Sequence, residues 1–151
     1  MNMKQIVFIA LILCLGNNLK AQIVTNTEST DSTNIYYQSF KKYCEQINKK
    51  ADFLLVEENH FITKSLPEEF DGQKIKVVNV VELQKLLKDK KQVQLLRLIP
   101  LRMKDGDFFV NIIVFNVAAK RKHFDFVNEG GISIVYSYDT EHKTFIFMNI
   151  K

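Results

Sequence analysis

The sequence predicts one α+β domain, in which an N-terminal helix and a short second helix pack against one face of a bent, mostly antiparallel meander sheet of about four to six strands. Two observations support this fold class. Apolar residues recur with a period of about 3.6 residues at the start of the folded part and with a period of two from Gln92 onward. The connections between the later strands are mostly short, which favours antiparallel neighbours.

The first predicted helix begins after Thr33 or Asn34, either of which can cap it. Its apolar residues follow helical spacing and form one stripe that must be buried against the sheet. The stripe consists of Tyr36, Phe40, Tyr43, Cys44, Ile47 and Ala51. We therefore expect Cys44 to be a small buried hydrophobe rather than a nucleophile.

Short extended segments and a second helix come next. The segments are "FLLVEE" at 53–58, "HFIT" at 60–63 and "IKVV" at 75–78. Asn79 and Glu82 have capping-box spacing, which predicts that the second helix begins there. Its apolar face consists of Val80, Leu83, Leu86 and Leu87.

Four longer strands complete the predicted domain. The first, "VQLLRLI", is expected to end at or lie on an edge near Pro100, because proline cannot donate to a sheet ladder. Asp105-Gly106 predicts a tight turn into "FFVNIIVFNV" at 108–117, which is apolar on both faces and should be a central strand. "ISIVYSY" and "TFIFMNI" form a final pair.

This order of elements resembles the nuclear transport factor 2-like and cystatin-like folds, in which a bent antiparallel sheet wraps a helix. The resemblance covers residues 34–150 as a topology only. No motif of either family is present, so the resemblance assigns no functional residue.

The first 21 residues have the pattern of a secretory signal peptide. Lys4 precedes the apolar run 6–15, which is too short to span a bilayer, and cleavage is expected between Ala21 and Gln22. The alternative is lipidation at Cys14, which would tether the chain to a membrane. We expect an extracytoplasmic protein, periplasmic or secreted, with no transmembrane segment after processing.

Residues 22–33 form a polar leader rich in serine and threonine, and residues 34–151 form the single domain. Cleavage would remove Lys4 and Lys20 and no acidic residue, so the formal net charge would fall from +4 to +2. This weak charge and the predicted export both argue against a nucleic-acid partner.

Polar residues within apolar strands are one candidate site. Arg97 interrupts one predicted strand and Asn111 interrupts the central one, and buried polar groups need partners. In one interpretation, the two residues together line a ligand pocket on the sheet. In the alternative, Arg97 lies at an edge of the sheet and Asn111 marks a bulge or the rim of the sheet.

A basic cluster is the second candidate. Lys120, Arg121, Lys122 and His123 lie close to Asp125. The cluster either contacts an acidic partner or anionic lipid head groups, or it is a solvated loop. His123 with Asp125 would supply a general base only if both faced one pocket.

The sequence contains none of the common catalytic, phosphate-binding or metal-binding motifs, and we expect no cofactor. "DTEHK" at 139–143 holds three potential metal ligands but has the composition of a turn. Binding of a small molecule or a protein partner, as by an inhibitor or immunity factor, is therefore favoured over catalysis. The alternative is a small hydrolase or lyase with a pocket in a nuclear transport factor 2-like cone.

Overall fold

The computed structural model describes residues 34–47, 53–121 and 123–151. These ranges contain the helices α1 (Ile35–Gln46) and α2 (Val80–Asp89) and a 3₁₀ turn at Thr63–Ser65. The strands are β1 (Leu54–Glu57), β2 (Glu69–Phe70), β3 (Gln73–Val78), β4 (Gln92–Lys104), β5 (Asp107–Lys120), β6 (His123–Asp139) and β7 (Thr144–Ile150). The predicted processing residues Cys14, Ala21 and Gln22, and also Lys122, lie outside the described residues.

The strands form one seven-stranded sheet in the order β2-β3-β1-β4-β5-β6-β7. Strand β1 pairs in parallel with both β3 and β4, and the other pairs are antiparallel. The α+β class is confirmed, but the strand count and the simple meander were wrong in the first half of the chain. The segment 79–91, which contains α2, connects β3 to β4. These two strands run in the same direction, and strands of the same direction need a long connection of this kind.

The two helices pack against opposite faces of the sheet, so the prediction that both cover one face was wrong. Alternate residues of a strand point to opposite faces. In β4, Leu96 and Leu98 belong to the core cluster that includes α1, whereas Val93 and Leu95 belong to the cluster that includes α2. Two apolar layers therefore enclose the middle of the sheet.

Strand β5 is central, as predicted, and lies between β4 and β6. Its residues Ile112 and Val117 are both fully buried, in the two opposite clusters. The turn into β5 places Asp105 and Gly106 at φ of 53° and 87°, closed by the Lys104–Asp107 pair. Two consecutive positive φ values are typical of the tight hairpin turn predicted from Asp-Gly.

Two local predictions fail for identifiable reasons. "HFIT" is a turn rather than a strand, because the Asn59 side chain accepts a hydrogen bond from the Phe61 amide at 3.1 Å and curls the backbone. Pro100 lies inside β4 instead of ending it. The register shifts between Ile99 and Arg102, and such a bulge accommodates a residue that has no N–H to donate.

Side-chain hydrogen bonds hold the helices in place. Asn34 caps α1 by accepting from the Tyr36 amide at 2.8 Å, and Asn79 and Glu82 form the predicted capping box of α2. Ser39 on α1 is hydrogen-bonded to the Tyr136 hydroxyl on β6 at 2.9 Å, with both residues buried. None of the helices in the described ranges has the length and apolar character needed to cross a membrane.

The packing of α2 can be tested with a matched pair of substitutions. Leu83 is 4% exposed and Val81 is 59% exposed on the same helix. We expect Leu83→Ala to lower the free energy of unfolding by about 2–5 kcal/mol, because it leaves a cavity against the sheet. Val81→Ala should change it by less than about 0.5 kcal/mol. Urea denaturation measures both values, and similar effects of the two substitutions would contradict this placement of α2.

Candidate functional site

The two edges of the sheet differ in length and character. At one edge, the two residues of β2 pair only with Gln73 and Lys74, so the rest of that edge is the outer side of β3 up to Val78, where Lys76 is exposed. Short and charged edge strands are poor templates for pairing. Strand β7 forms the other edge beside residues 133–139 of β6, and none of its seven residues, "TFIFMNI", is charged. Before Ser133, the outer side of β6 has no strand partner among the described residues. Within the described part of the chain, no strand pairs with the outer side of β7. We call this outer side the β7 edge.

The hydrogen-bonding pattern shows which backbone groups point outward at the β7 edge. Ser133 of β6 and Lys151, which follows β7, exchange two backbone hydrogen bonds of 2.8 and 2.9 Å. The N–H and C=O groups of both residues therefore point into the space between the two strands. Alternate residues of β6 therefore face β7, and Ser137 with its partner Ile146 is another such pair. It follows that Phe145 and Phe147 direct their N–H and C=O groups away from the sheet.

Apolar side chains surround these outward groups. Ile146, Phe147 and Met148 are 45%, 41% and 55% exposed, which is high for consecutive large apolar residues. Phe145 is supported by other aromatic rings, with centroids 5.1 Å from Tyr138 and 5.3 Å from Phe108. The edge is thus an apolar strand held against a packed aromatic cluster.

A bulge divides the β7 edge. The register shifts where Val135 and Tyr136 pair with Asn149 and Phe147, which leaves Met148 as the extra residue. Bulges twist a strand and are one means by which proteins limit edge pairing. Here the bulge leaves residues 144–147 as an uninterrupted run that can pair with another strand.

A second candidate is a shallow polar groove on the sheet, at the β-bulge between β5 and β6. The groove has a volume of about 210 Å³, and its lining includes Asn111, Asn128 and Ser133. The Asn111 Oδ1 atom is buried, and no hydrogen-bond donor reaches it from the described residues. A side chain at position 131 would meet the Ile112 carbonyl oxygen at 2.3 Å, so only glycine fits beside the groove.

Arg97 does not line this groove. Its guanidinium forms a bidentate ion pair with Glu57 on β1, donating from Nε and Nη2 to the two carboxylate oxygens. It also lies 4.8 Å from the Phe115 ring centroid and 5.3 Å from that of Phe126. These contacts link β1, β4, β5 and β6 beside the apolar cluster that includes α2. Arg97 therefore stabilises the packing of four strands.

The basic cluster lies at the β5–β6 hairpin. Lys120 Nζ contacts Asp125 Oδ2 at 2.6 Å, and this hydrogen bond holds the pKa of Asp125 below its ordinary value. His123 is exposed, and Arg121 takes a positive φ in the turn. Since Asp125 is paired with Lys120, the geometry does not supply the oriented His123–Asp125 base that catalysis would need.

The "DTEHK" segment is a turn organised by Asp139. Its carboxylate accepts hydrogen bonds from the amides of Glu141 and His142 and lies 2.8 Å from the His142 ring. The contact with His142 lowers the pKa of Asp139. In the described ranges, no three His, Cys, Asp or Glu side chains are grouped so as to hold a metal ion.

Cys44 lies half-buried on α1 against the core, in agreement with its place on the apolar stripe. Burial raises the pKa of its thiol from 9.0 to about 12. The thiol is therefore neutral near pH 7, which is unfavourable for a nucleophile.

The raised pKa of Cys44 predicts a loss of stability at alkaline pH. The folded state favours the neutral thiol, so this contribution is complete below pH 9.0 and is lost as the pH rises toward about 12. Burial also raises the pKa of Tyr43 to about 12, which adds to the effect. We expect the free energy of unfolding to fall over this range, and less steeply in Cys44→Ala. Urea titrations at stepped pH measure the slopes, and identical slopes would refute a role for Cys44.

Comparison of the chain with protein-family models, curated proteins and solved structures finds no match. The sequence contains one signal for the β7 edge, which is a seven-residue uncharged run bounded by Lys143 and Lys151. That signal does not reveal which side of the strand is unpaired.

Proposed function

We propose that this chain is a small non-catalytic binding protein that holds an extended segment of a protein partner along the β7 edge. The observation that carries the proposal is the contrast between the two sheet edges: β2 and the uncovered end of β3 form one edge that carries Lys76, whereas β7 at the other edge is seven residues long and uncharged. An extended peptide can add a strand to such an edge, with its main chain giving affinity and its alternate side chains giving specificity.

The polar groups of the chain support binding rather than catalysis. The residues considered for chemistry are already paired with neighbours: Arg97 with Glu57, Asp125 with Lys120, and Asp139 with His142. A small enzyme with a cone-shaped pocket thus has less support than the binding function. The groove at Asn111 favours a second candidate, a small polar ligand that donates a hydrogen bond to the buried Oδ1 atom.

The proposed partner segment can be tested with two substitutions at one position. Phe147→Pro removes the outward N–H, and Phe147→Ala removes the same ring but keeps that N–H. We expect peptides selected on the wild-type protein from a random linear heptapeptide library to bind the proline variant about tenfold more weakly than the alanine variant. Fluorescence anisotropy measures the affinities, and near-ultraviolet circular dichroism checks that both variants are folded.

Amide hydrogen exchange in the wild-type protein gives a second test that needs no substitution. The Phe145 and Phe147 amides should exchange fast in the free protein and slowly in the peptide complex. Equal binding to both Phe147 variants, or exchange at these two amides that the peptide leaves unchanged, would overturn the proposal.

We also propose that the protein acts outside the cytoplasm, on the basis of the signal-peptide pattern of its first 21 residues. The intact mass of the protein isolated from its own cells is expected to correspond to a chain that begins at Gln22. A chain that begins at an acylated Cys14 would instead identify a membrane-tethered lipoprotein. Retention of the first 21 residues would refute the proposal of export.

A further inference from the structure

Two basic segments that are far apart in the sequence meet at one end of the sheet. Strand β4 begins beside the place where β5 ends, because Gln92 pairs with Ala118. The basic residues that precede β4 and those that follow the pair in β5 are therefore neighbours, and we call this group the basic end. It consists of Lys88, Lys90, Lys91, Lys120 and Arg121.

The basic end holds most of the net charge of the chain. Its five residues are all exposed, and the acidic residues beside them are Asp89 and Asp125, so the local net charge is +3, compared with +4 for the whole chain. Lys120 pairs with Asp125, but none of the ion pairs among the described residues involves the other four cations. The β2–β3 hairpin, farther along the same end of the sheet, carries charges of both signs. The positive field is therefore concentrated where β4, β5 and β6 meet.

The cations of the basic end surround no exposed large apolar side chain. Leu87, Val93 and Val117, the nearest apolar residues of α2, β4 and β5, are buried. The rings of Phe124 and Phe126 already pack edge to face on each other, with centroids 6.4 Å apart, and Phe126 also contacts the Arg97 guanidinium. The basic end thus offers charge without an apolar anchor and without a free aromatic ring.

This composition fits a lipid surface better than a protein or a single-stranded nucleic acid. Lysine is depleted in protein–protein interfaces, whose buried centres are apolar. Proteins that bind single strands add aromatic side chains on which the bases stack. An anionic membrane surface needs neither feature, because each lysine or arginine near it strengthens binding about fivefold by charge alone.

We infer that the basic end binds the surface of a membrane that contains anionic phospholipids, by reversible electrostatic adsorption without insertion. This inference goes beyond the proposed function and does not depend on it. Strand β7 pairs with the second half of β6, whereas the basic end lies at the start of β6. A chain adsorbed in this way would leave the β7 edge accessible to a partner.

Binding to phospholipid vesicles tests this inference. The protein isolated from its own cells is mixed with vesicles of phosphatidylcholine, either alone or with about one third phosphatidylglycerol, and sedimentation measures the bound fraction. At low ionic strength, we expect at least about tenfold tighter binding to the anionic vesicles. The difference should vanish at high salt, because the Debye length falls from about 30 Å at 0.01 M to about 3 Å at 1 M. Equal binding to both kinds of vesicle would overturn the inference.

Matched substitutions assign the binding to the basic end. Lys90→Gln with Lys91→Gln should weaken binding to the anionic vesicles about 20-fold. Lys104→Gln with Lys143→Gln makes the same change in net charge at exposed positions of the opposite end of the sheet, and should weaken it less than about twofold. Asp125→Asn removes a negative charge from the basic end and should strengthen binding about fivefold. Equal losses in the two double variants would mean that net charge alone decides, which would refute the assignment.

Two soluble polyanions show whether a bilayer is the preferred partner. Duplex DNA presents phosphate charges and polyglutamate presents carboxylate charges, both without a lipid surface. We expect each to bind more weakly than the anionic vesicles at the same salt and charge concentration. Tighter binding of either polymer, with loss of that binding in the Lys90 and Lys91 double variant, would identify a nucleic acid or an acidic protein as the partner and overturn the inference. Far-ultraviolet circular dichroism checks that every variant is folded.

Discussion

The architecture depends on the need to cover both faces of the central strands. Leu95 and Leu96 are neighbours in β4, point to opposite faces, and are 0% and 2% exposed. Each face must therefore carry its own apolar layer, and one helix supplies each layer. The segment that contains α2 connects β3 to β4, so it covers the second face and also supplies the long connection that two strands of the same direction require.

The free edge is a consequence of the same topology. The chain adds β5, β6 and β7 one after another through short antiparallel connections, so the last strand of the series lies outermost. Helix α1 reaches the sheet near this strand through Lys42, which lies over Phe147, but it contributes no backbone pairing there. Phe145 and Ile150 of β7 therefore pack against the core, whereas Ile146, Phe147 and Met148 remain exposed.

Most polar residues that attract attention in the sequence serve the fold. Arg97 joins four strands through Glu57 and two aromatic rings, and Asp139 organises a turn. Asn111 is different, because its Oδ1 atom is buried and no donor among the described residues reaches it. An unpaired buried acceptor costs stability, which is why the groove beside it is retained as the second candidate site.

The sequence by itself determined the class of the fold, the central position of β5, the caps of both helices and the Asp105-Gly106 turn, because each depends on residues close together in the chain. It did not determine the parallel pairing of β1, the placement of the helices on opposite faces, or the neighbours of Arg97 and Asp125. Those features depend on contacts between distant segments, which hydrophobic periodicity does not specify. The seven uncharged residues of β7 were visible in the sequence, but only the tertiary structure decided that no strand of the described residues pairs with their outer side, since an edge is defined by the arrangement of the strands.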